Sequence, residues 1–113
     1  MGEMIYHMCR KDEWAAAISA GSYKGSSQDL EGGFIHFSSK DQIMASAAKH
    51  RAGQDGLMLI FVNAGALGDK LKWEESRDGQ LFPHLYGVLS LDAVAKAESL
   101  LLGPDGTHIF PEL

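Results

Sequence analysis

Two periodicities divide this 113-residue chain into strands and helices. Alternation of apolar and polar residues, or an unbroken apolar run, indicates a strand, and a 3.6-residue period indicates a helix. The strand pattern occurs over residues 4–9, 34–38, 57–62, 70–75 and 95–102. The run at residues 57–62 is apolar throughout, which is typical of a central strand covered on both faces.

The helical period predicts two main helices. The first covers residues 11–20, with Gly21 as its C-cap. Its buried stripe is expected at Trp14, Ala17 and Ile18.

The second helix is predicted to begin at Ser39, where Gln42 three residues later completes a capping box. Gly53 ends it, and His50 and Arg51 suit the negative end of the helix dipole. Its apolar face is expected at Ile43, Met44, Ala47 and Ala48.

The remaining segments are connections. Residues 22–31 are predicted to be irregular, with a candidate short strand at residues 22–23, and residues 76–79 have turn chemistry. Ser90 caps a predicted helical turn over residues 91–94. Strands outnumber helices, and the helices come early. The pattern therefore predicts one α+β domain over residues 1–113, a small twisted, mostly antiparallel sheet with two main helices.

Charge and cysteine content narrow the possible partners and the compartment. The net charge is −5, and the ten basic residues are scattered. Duplex nucleic acid or an anionic membrane requires a basic stripe, so neither partner is expected. No apolar segment approaches the roughly 18 residues of a membrane span, and no signal pattern opens the chain. With Cys9 as its single cysteine, the chain is expected to be cytoplasmic, with a thiol in the core.

Three histidines are associated with strand-like segments: His7, His36 and His84. A buried histidine is costly unless its ring nitrogens find partners, and one such residue is usually a satisfied core side chain. Three in one small domain favour a polar pocket that their rings line together. The prediction is a small-ligand pocket, which requires the three segments to be spatial neighbours.

Two further segments are candidates for chemistry. In Trp73-Glu74-Glu75 the glutamates face opposite ways along a strand, so one can point into the pocket while the other is solvated. In residues 82–87 two aromatic residues flank His84, Pro83 fixes the backbone and Gly87 permits a sharp exit. This composition favours a ligand-gripping loop, with an aromatic-capped core as the alternative.

Together these motifs resemble a bacterial family catalogued as domain of unknown function 952. The resemblance covers about residues 4–94, and its last two motifs are the most specific. It rests on Ile5-Tyr6-His7, Trp14, Gly33-Phe34-Ile35-His36-Phe37-Ser38, Gln42, Trp73-Glu74 and Phe82-Pro83-His84-Leu85-Tyr86-Gly87. That family is similar to the ADP-ribosyltransferase-like fold, especially to RNA 2′-phosphotransferases. In these enzymes a first strand carries a Tyr-His pair and a later strand reads Val-His-Leu-Ser.

The resemblance implies a cleft for a nucleotide or NAD-like ligand. The ligand-binding residues it implies are His7, His36, Ser38, Ser39, Trp73 and Tyr86. The histidines would bond ribose or phosphate oxygens, the serines would help bind an anion where the second helix begins, and the two large aromatic residues would cover a ring. For transfer chemistry, Glu74 would stabilise a ribosyl cation and His84 would act as acid or base.

The chain also departs from the transferases. Met8-Cys9 follows His7 in place of the Gly-Thr or Gly-Ser that helps hold nicotinamide, and the arginines that grip the 2′-phosphate have no clear counterparts. Two alternatives therefore stay open. One is a non-catalytic regulatory or protein-interaction module with a degenerate enzyme pocket. The other is a metal site made by the three histidines, although the chain lacks the closely spaced histidine pairs common in such sites.

Overall fold

The computed structural model describes residues 3–75 and 79–113, leaving aside the side chains of residues 27 and 28. Its helices are α1 (Lys11–Ala20), α2 (Ser27–Gly32) and α3 (Ile43–His50). Its strands are β1 (Met4–Arg10), β2 (Ser22–Tyr23), β3 (Ile35–His36), β4 (Ser38–Ser39), β5 (Leu57–Asn63), β6 (Leu71–Glu75), β7 (Leu81–Leu85), β8 (Leu89–Ser90), β9 (Val94–Leu102) and β10 (His108–Ile109). Short 3-10 helices cover Ala64–Ala66, Gly68–Lys70 and Leu91–Ala93. The predicted α+β class is confirmed.

The largest sheet has the strand order β10-β9-β5-β1-β4, and its described pairs are antiparallel. The continuous apolar strand β5 lies at its centre, as predicted, with Leu57, Leu59 and Ile60 fully buried. Successive residues of β1 serve opposite faces, because strand side chains alternate. Ile5 and Cys9 join one core cluster, and Tyr6 joins the other. The prediction that Cys9 is a core thiol is confirmed.

A three-stranded sheet in the order β3-β7-β6 lies beside it, and β2 pairs with β8. The single strand predicted over residues 34–38 is therefore wrong, because β3 belongs to this sheet and β4 to the large one. Phe37 lies between them, its side chain in the core and its N–H donating to the Pro83 carbonyl. The chain changes sheets here while Ile35 and Phe37 stay in one core cluster.

The helix predictions need three corrections. The connection predicted to be irregular contains α2, a six-residue helix too short and polar to show an apolar period. The second predicted helix, α3, begins at Ile43 rather than Ser39. The Ser39 N–H does donate to the Gln42 side chain, but this bond closes a turn, because Ser39 is part of β4.

The third correction concerns helix faces. Ile18 and Met44 are more than half exposed, and Ala48 is exposed as well, although the period places all three on buried stripes. In α1 only Trp14 and Ala17 are buried, and α3 buries Ser46 beside its apolar residues. These short helices thus bury a narrower stripe than the pattern predicts.

Residues 82–87, predicted as a loop, belong mostly to β7. Proline is normally excluded from central strands because it cannot donate to the ladder. Here β3 is only two residues long, so little of the ladder is lost. The Pro83 carbonyl still accepts a hydrogen bond from the Phe37 N–H. The turn predicted at residues 76–79 falls outside the described residues except for Gly79. None of the described helices is long and apolar enough to cross a membrane.

Gly25 is the position where an added methyl group tests the packing around α2 most directly. Its φ is 106°, and a Cβ there would lie 2.8 Å from the Asp29 Cβ and 3.2 Å from Ile35 Cγ1. We expect Gly25→Ala to lower the free energy of unfolding by about 2–4 kcal/mol, through backbone strain and overpacking, as measured by urea denaturation. Gly53→Ala is the control, because its φ is also positive but its Cβ would meet nothing within 4 Å. Equal losses in both variants would contradict the packing argument.

Candidate functional site

A cavity of about 310 Å³ opens beside β1, past the point where β4 stops pairing with that strand. Strand β4 pairs with β1 only at Ile5 and Tyr6. The next two residues, His7 and Met8, line the cavity. His36 from β3 and His84 from β7 line it as well, so the structure brings the three predicted histidines together.

The buried carboxylate of Asp29 organises one wall of the cavity. It is the third residue of α2, and its Oδ2 accepts from the Ser26 N–H at 2.7 Å and from the Ser26 hydroxyl at 2.9 Å. Its Oδ1 accepts from the His36 N–H at 3.0 Å and from His36 Nδ1 at 2.6 Å. Burial alone would raise the pKa of Asp29, but these bonds and the nearby His7 ring hold that pKa at about 2. Asp29 is therefore a carboxylate with both oxygens occupied.

His7 has both ring nitrogens engaged within the protein. Its Nδ1 lies 2.6 Å from the His36 carbonyl oxygen, which only accepts, so Nδ1 carries the proton. Its Nε2 then accepts from the Tyr23 hydroxyl at 2.6 Å. Burial lowers the pKa of His7, against the opposing charge of Asp29, and burial raises the pKa of Tyr23. The neutral His7 ring thus joins β1, β2 and β3 and presents a ring surface to the cavity.

His36 and His84 form a matched pair across β3 and β7. They are direct partners in the strand register, and their ring centroids lie 5.4 Å apart. Each Nδ1 donates to a carboxylate, that of His36 to Asp29 and that of His84 to Glu74 at 2.8 Å. The Phe34 ring packs against both imidazoles, with centroid distances of 4.5 and 4.2 Å. Within the described ranges, neither Nε2 has a hydrogen-bond partner, so both are available to a ligand.

Glu74 lies behind His84 rather than on the cavity wall. Its Oε1 accepts from His84 and from the Tyr86 hydroxyl at 2.7 Å, and these two bonds, the one from Tyr86 foremost, lower the pKa of Glu74. Trp73, on the same strand, is 39% exposed and does not line the cavity. The carboxylate of Glu74 therefore contacts the site only through the His84 ring.

The two predicted serines separate. Ser38 lines the cavity, and its hydroxyl lies 2.9 Å from that of Ser46 on α3, whereas Ser39 does not reach the cavity. Because α3 begins at Ile43, neither Ser38 nor Ser39 stands at its N-terminus, and the expected anion site at that helix end is wrong.

Sequence reasoning missed Asp29 and Arg51. Arg51 was assigned to the helix dipole, but it is only 8% exposed and lines the cavity. Its Nη2 donates to the Met8 carbonyl at 3.3 Å and its Nη1 donates to the Gln54 side chain at 3.2 Å. No periodicity distinguishes such a buried arginine from a surface one. For Asp29, Ser26 three residues earlier was the available signal, a capping pattern with aspartate at its end.

The three-histidine metal site has no support in residues 3–75 and 79–113. No group of three or more His, Cys, Asp or Glu side chains there is arranged to hold a metal ion. The reason is local, since His7 uses both of its ring nitrogens in hydrogen bonds within the protein.

Comparisons with known proteins identify the family but no activity. The crystal structure of protein CC0527 from Caulobacter crescentus is 43% identical, with a TM-score of 0.90 over 94% of this chain and 93% of that chain. The solution NMR structure of CC0527 is 44% identical, with a TM-score of 0.82 over 92% and 90%. No curated protein matches. Residues 8–97 match the family described as "Protein of unknown function (DUF952)". The chain belongs to the DUF952 family.

Proposed function

We propose that this protein binds a small nucleotide-like molecule in the cavity and that His36 and His84 transfer protons to and from it. One observation carries the proposal: two adjacent imidazoles are each oriented by a carboxylate at Nδ1, with Nε2 left without a partner among the described residues. A carboxylate at Nδ1 fixes the tautomer and orientation of a histidine, and the other nitrogen is then available for proton transfer.

In this proposal the two histidines act as an acid–base pair. One neutral imidazole takes a proton at Nε2 from the attacking water or hydroxyl group. The other, in its protonated form, gives its Nε2 proton to a leaving oxygen, whereas nicotinamide departs from NAD as a neutral base and needs only the first proton transfer. The two rings contact each other, with centroids 5.4 Å apart, and both line the cavity, so a ligand bound there can approach both His36 and His84.

The size of the cavity favours one nucleotide-sized portion of a ligand. Small-molecule sites enclose roughly 300–1,000 Å³, and this cavity of about 310 Å³ is at the lower end. A dinucleotide such as NAD would extend from its mouth. The sequence resemblance to the ADP-ribosyltransferase-like fold supports the same ligand class, with a reaction at a ribose carbon or a phosphate.

Glu74 and His7 receive different roles from those that the sequence resemblance implied. We propose that Glu74 is a positioning residue for His84, because its Oε1 is occupied by His84 and Tyr86. We propose that His7 is a neutral scaffold residue. Its two ring nitrogens bond to the His36 carbonyl and the Tyr23 hydroxyl and so stabilise the fold rather than bind the ligand. The non-catalytic module is the alternative in which binding occurs without turnover.

Ligand binding is testable by titration calorimetry with NAD, ADP-ribose and a nucleoside 2′-phosphate. We expect saturable binding of at least one, weakened about tenfold or more in His36→Ala because a charge-assisted hydrogen bond is lost. His108→Ala is the control, because His108 lies on β10, outside the cavity, and contacts the Gln54 carbonyl. Absence of heat with all three ligands would remove the proposal.

Turnover is testable by nicotinamide release from NAD. We expect release that falls about 100-fold or more in Glu74→Gln, because the amide no longer holds the His84 tautomer. Trp73→Phe, on the same strand and outside the cavity, should release nicotinamide at the original rate. Binding with no release would leave the non-catalytic module, and full activity in Glu74→Gln would contradict its positioning role.

The scaffold role of His7 predicts a pH dependence of stability. Its pKa is lowered in the folded protein from the ordinary 6.5, chiefly by burial, so the unfolded chain binds the proton more readily. The contribution is therefore complete above pH 6.5 and is lost on acidification, by at most about 1.4 kcal/mol per pH unit. Urea denaturation between pH 6.5 and about 5 should show a shallower decline in His7→Gln than in the original protein and in His108→Gln. Three equal slopes would exclude the neutral scaffold.

A further inference from the structure

Arg51 is a buried cation to which the protein supplies no carboxylate partner in its described part. The residue is 8% exposed, and a buried charge is costly unless an opposite charge pairs with it. Among the described residues, its guanidinium donates hydrogen bonds to two neutral oxygens, those of Met8 and Gln54. No described carboxylate pairs directly with the guanidinium, and an anionic ligand in the cavity would supply that partner.

Asp29, the carboxylate that lines the same cavity, does not pair with Arg51. Both oxygens of Asp29 already accept two hydrogen bonds each, from Ser26 and His36. A guanidinium has five N–H donors in a planar fork, and its two bonds to the protein leave others to face the cavity.

Two hydroxyl groups line the same cavity as Arg51. Ser46 lies on α3, Arg51 is the C-cap residue that follows this helix, and the Ser46 hydroxyl is 2.9 Å from that of Ser38. A guanidinium fork with hydroxyl groups nearby suits the oxygens of a tetrahedral phosphate, which point in more directions than the two coplanar oxygens of a carboxylate.

We propose that Arg51, with the Ser38 and Ser46 hydroxyls, forms a subsite for a phosphate group of the ligand. This inference rests on the proposed function and adds the orientation in which the ligand binds. The phosphate lies against Arg51, and the reacting part of the ligand lies beside His36 and His84 at the same cavity. Recognition of the ligand then depends on its phosphate as well as on its ring.

The experiment compares adenosine with adenosine monophosphate by titration calorimetry. In the original protein the monophosphate should bind about 10- to 100-fold more tightly, as expected for charge-assisted hydrogen bonds. Arg51→Gln should abolish that difference and leave adenosine binding unchanged. Lys49→Gln is the matched control, because it removes the same charge from an exposed position two residues earlier, in the last turn of α3, and should preserve the difference. Equal affinities in the original protein, or a difference that survives Arg51→Gln, would overturn the subsite.

Two further measurements separate this inference from the proposed function. Inorganic phosphate should shift the ring proton NMR signals of His36 or His84 saturably, acetate at equal ionic strength should not, and Arg51→Gln should abolish the shift. Binding of phosphate without nucleosides would support the subsite and contradict the nucleotide-like ligand. Binding of adenosine without any response to phosphate would support the nucleotide-like ligand and contradict the subsite. If Arg51→Gln does not fold, judged by circular dichroism, competition between inorganic phosphate and adenosine monophosphate in the original protein decides, and failure to compete overturns the subsite.

Discussion

The buried carboxylate of Asp29 is the interaction on which both the fold and the site depend. It satisfies two donors of Ser26 at the start of α2 and two donors of His36 on β3. The His36 carbonyl in turn accepts from His7, which accepts from Tyr23. In a low-dielectric interior such a chain of bonds is strong when complete and costly when one member is missing. One acidic side chain thereby fixes the relative positions of α2 and three strands.

A second carboxylate repeats the arrangement in different surroundings. Glu74 on β6 holds His84 as Asp29 holds His36, but Asp29 is buried whereas Glu74 is partly exposed. The antiparallel register of β3 and β7 then places the two imidazoles side by side. The strand pairing thus holds two imidazoles in unlike surroundings on paired strands, without a flexible loop.

The fold itself does not decide what the protein does. The relative from Caulobacter crescentus shares the fold at 43% identity, and the family is described only as a protein of unknown function. One fold commonly serves several unrelated activities, so function must be argued from the site. Here the open edge of β1 beyond Tyr6, the paired histidines and the buried Arg51 converge on one cavity. Two carboxylate-oriented imidazoles and a guanidinium at one cavity carry the proposal.

The sequence by itself determined the bounds of the longest elements and many of their buried positions, because burial imposes a period that is visible in the order of residues. It predicted β1, α1 and β5 closely, and it singled out His7, His36 and His84. Only the tertiary structure decided that His36 pairs with His84, that Asp29 and Arg51 line the same cavity, and that Glu74 lies behind an imidazole. Those relations join segments far apart in the chain through strand register and side-chain hydrogen bonds. Periodicity carries no information about register, since a strand keeps the same alternation whichever partner it has.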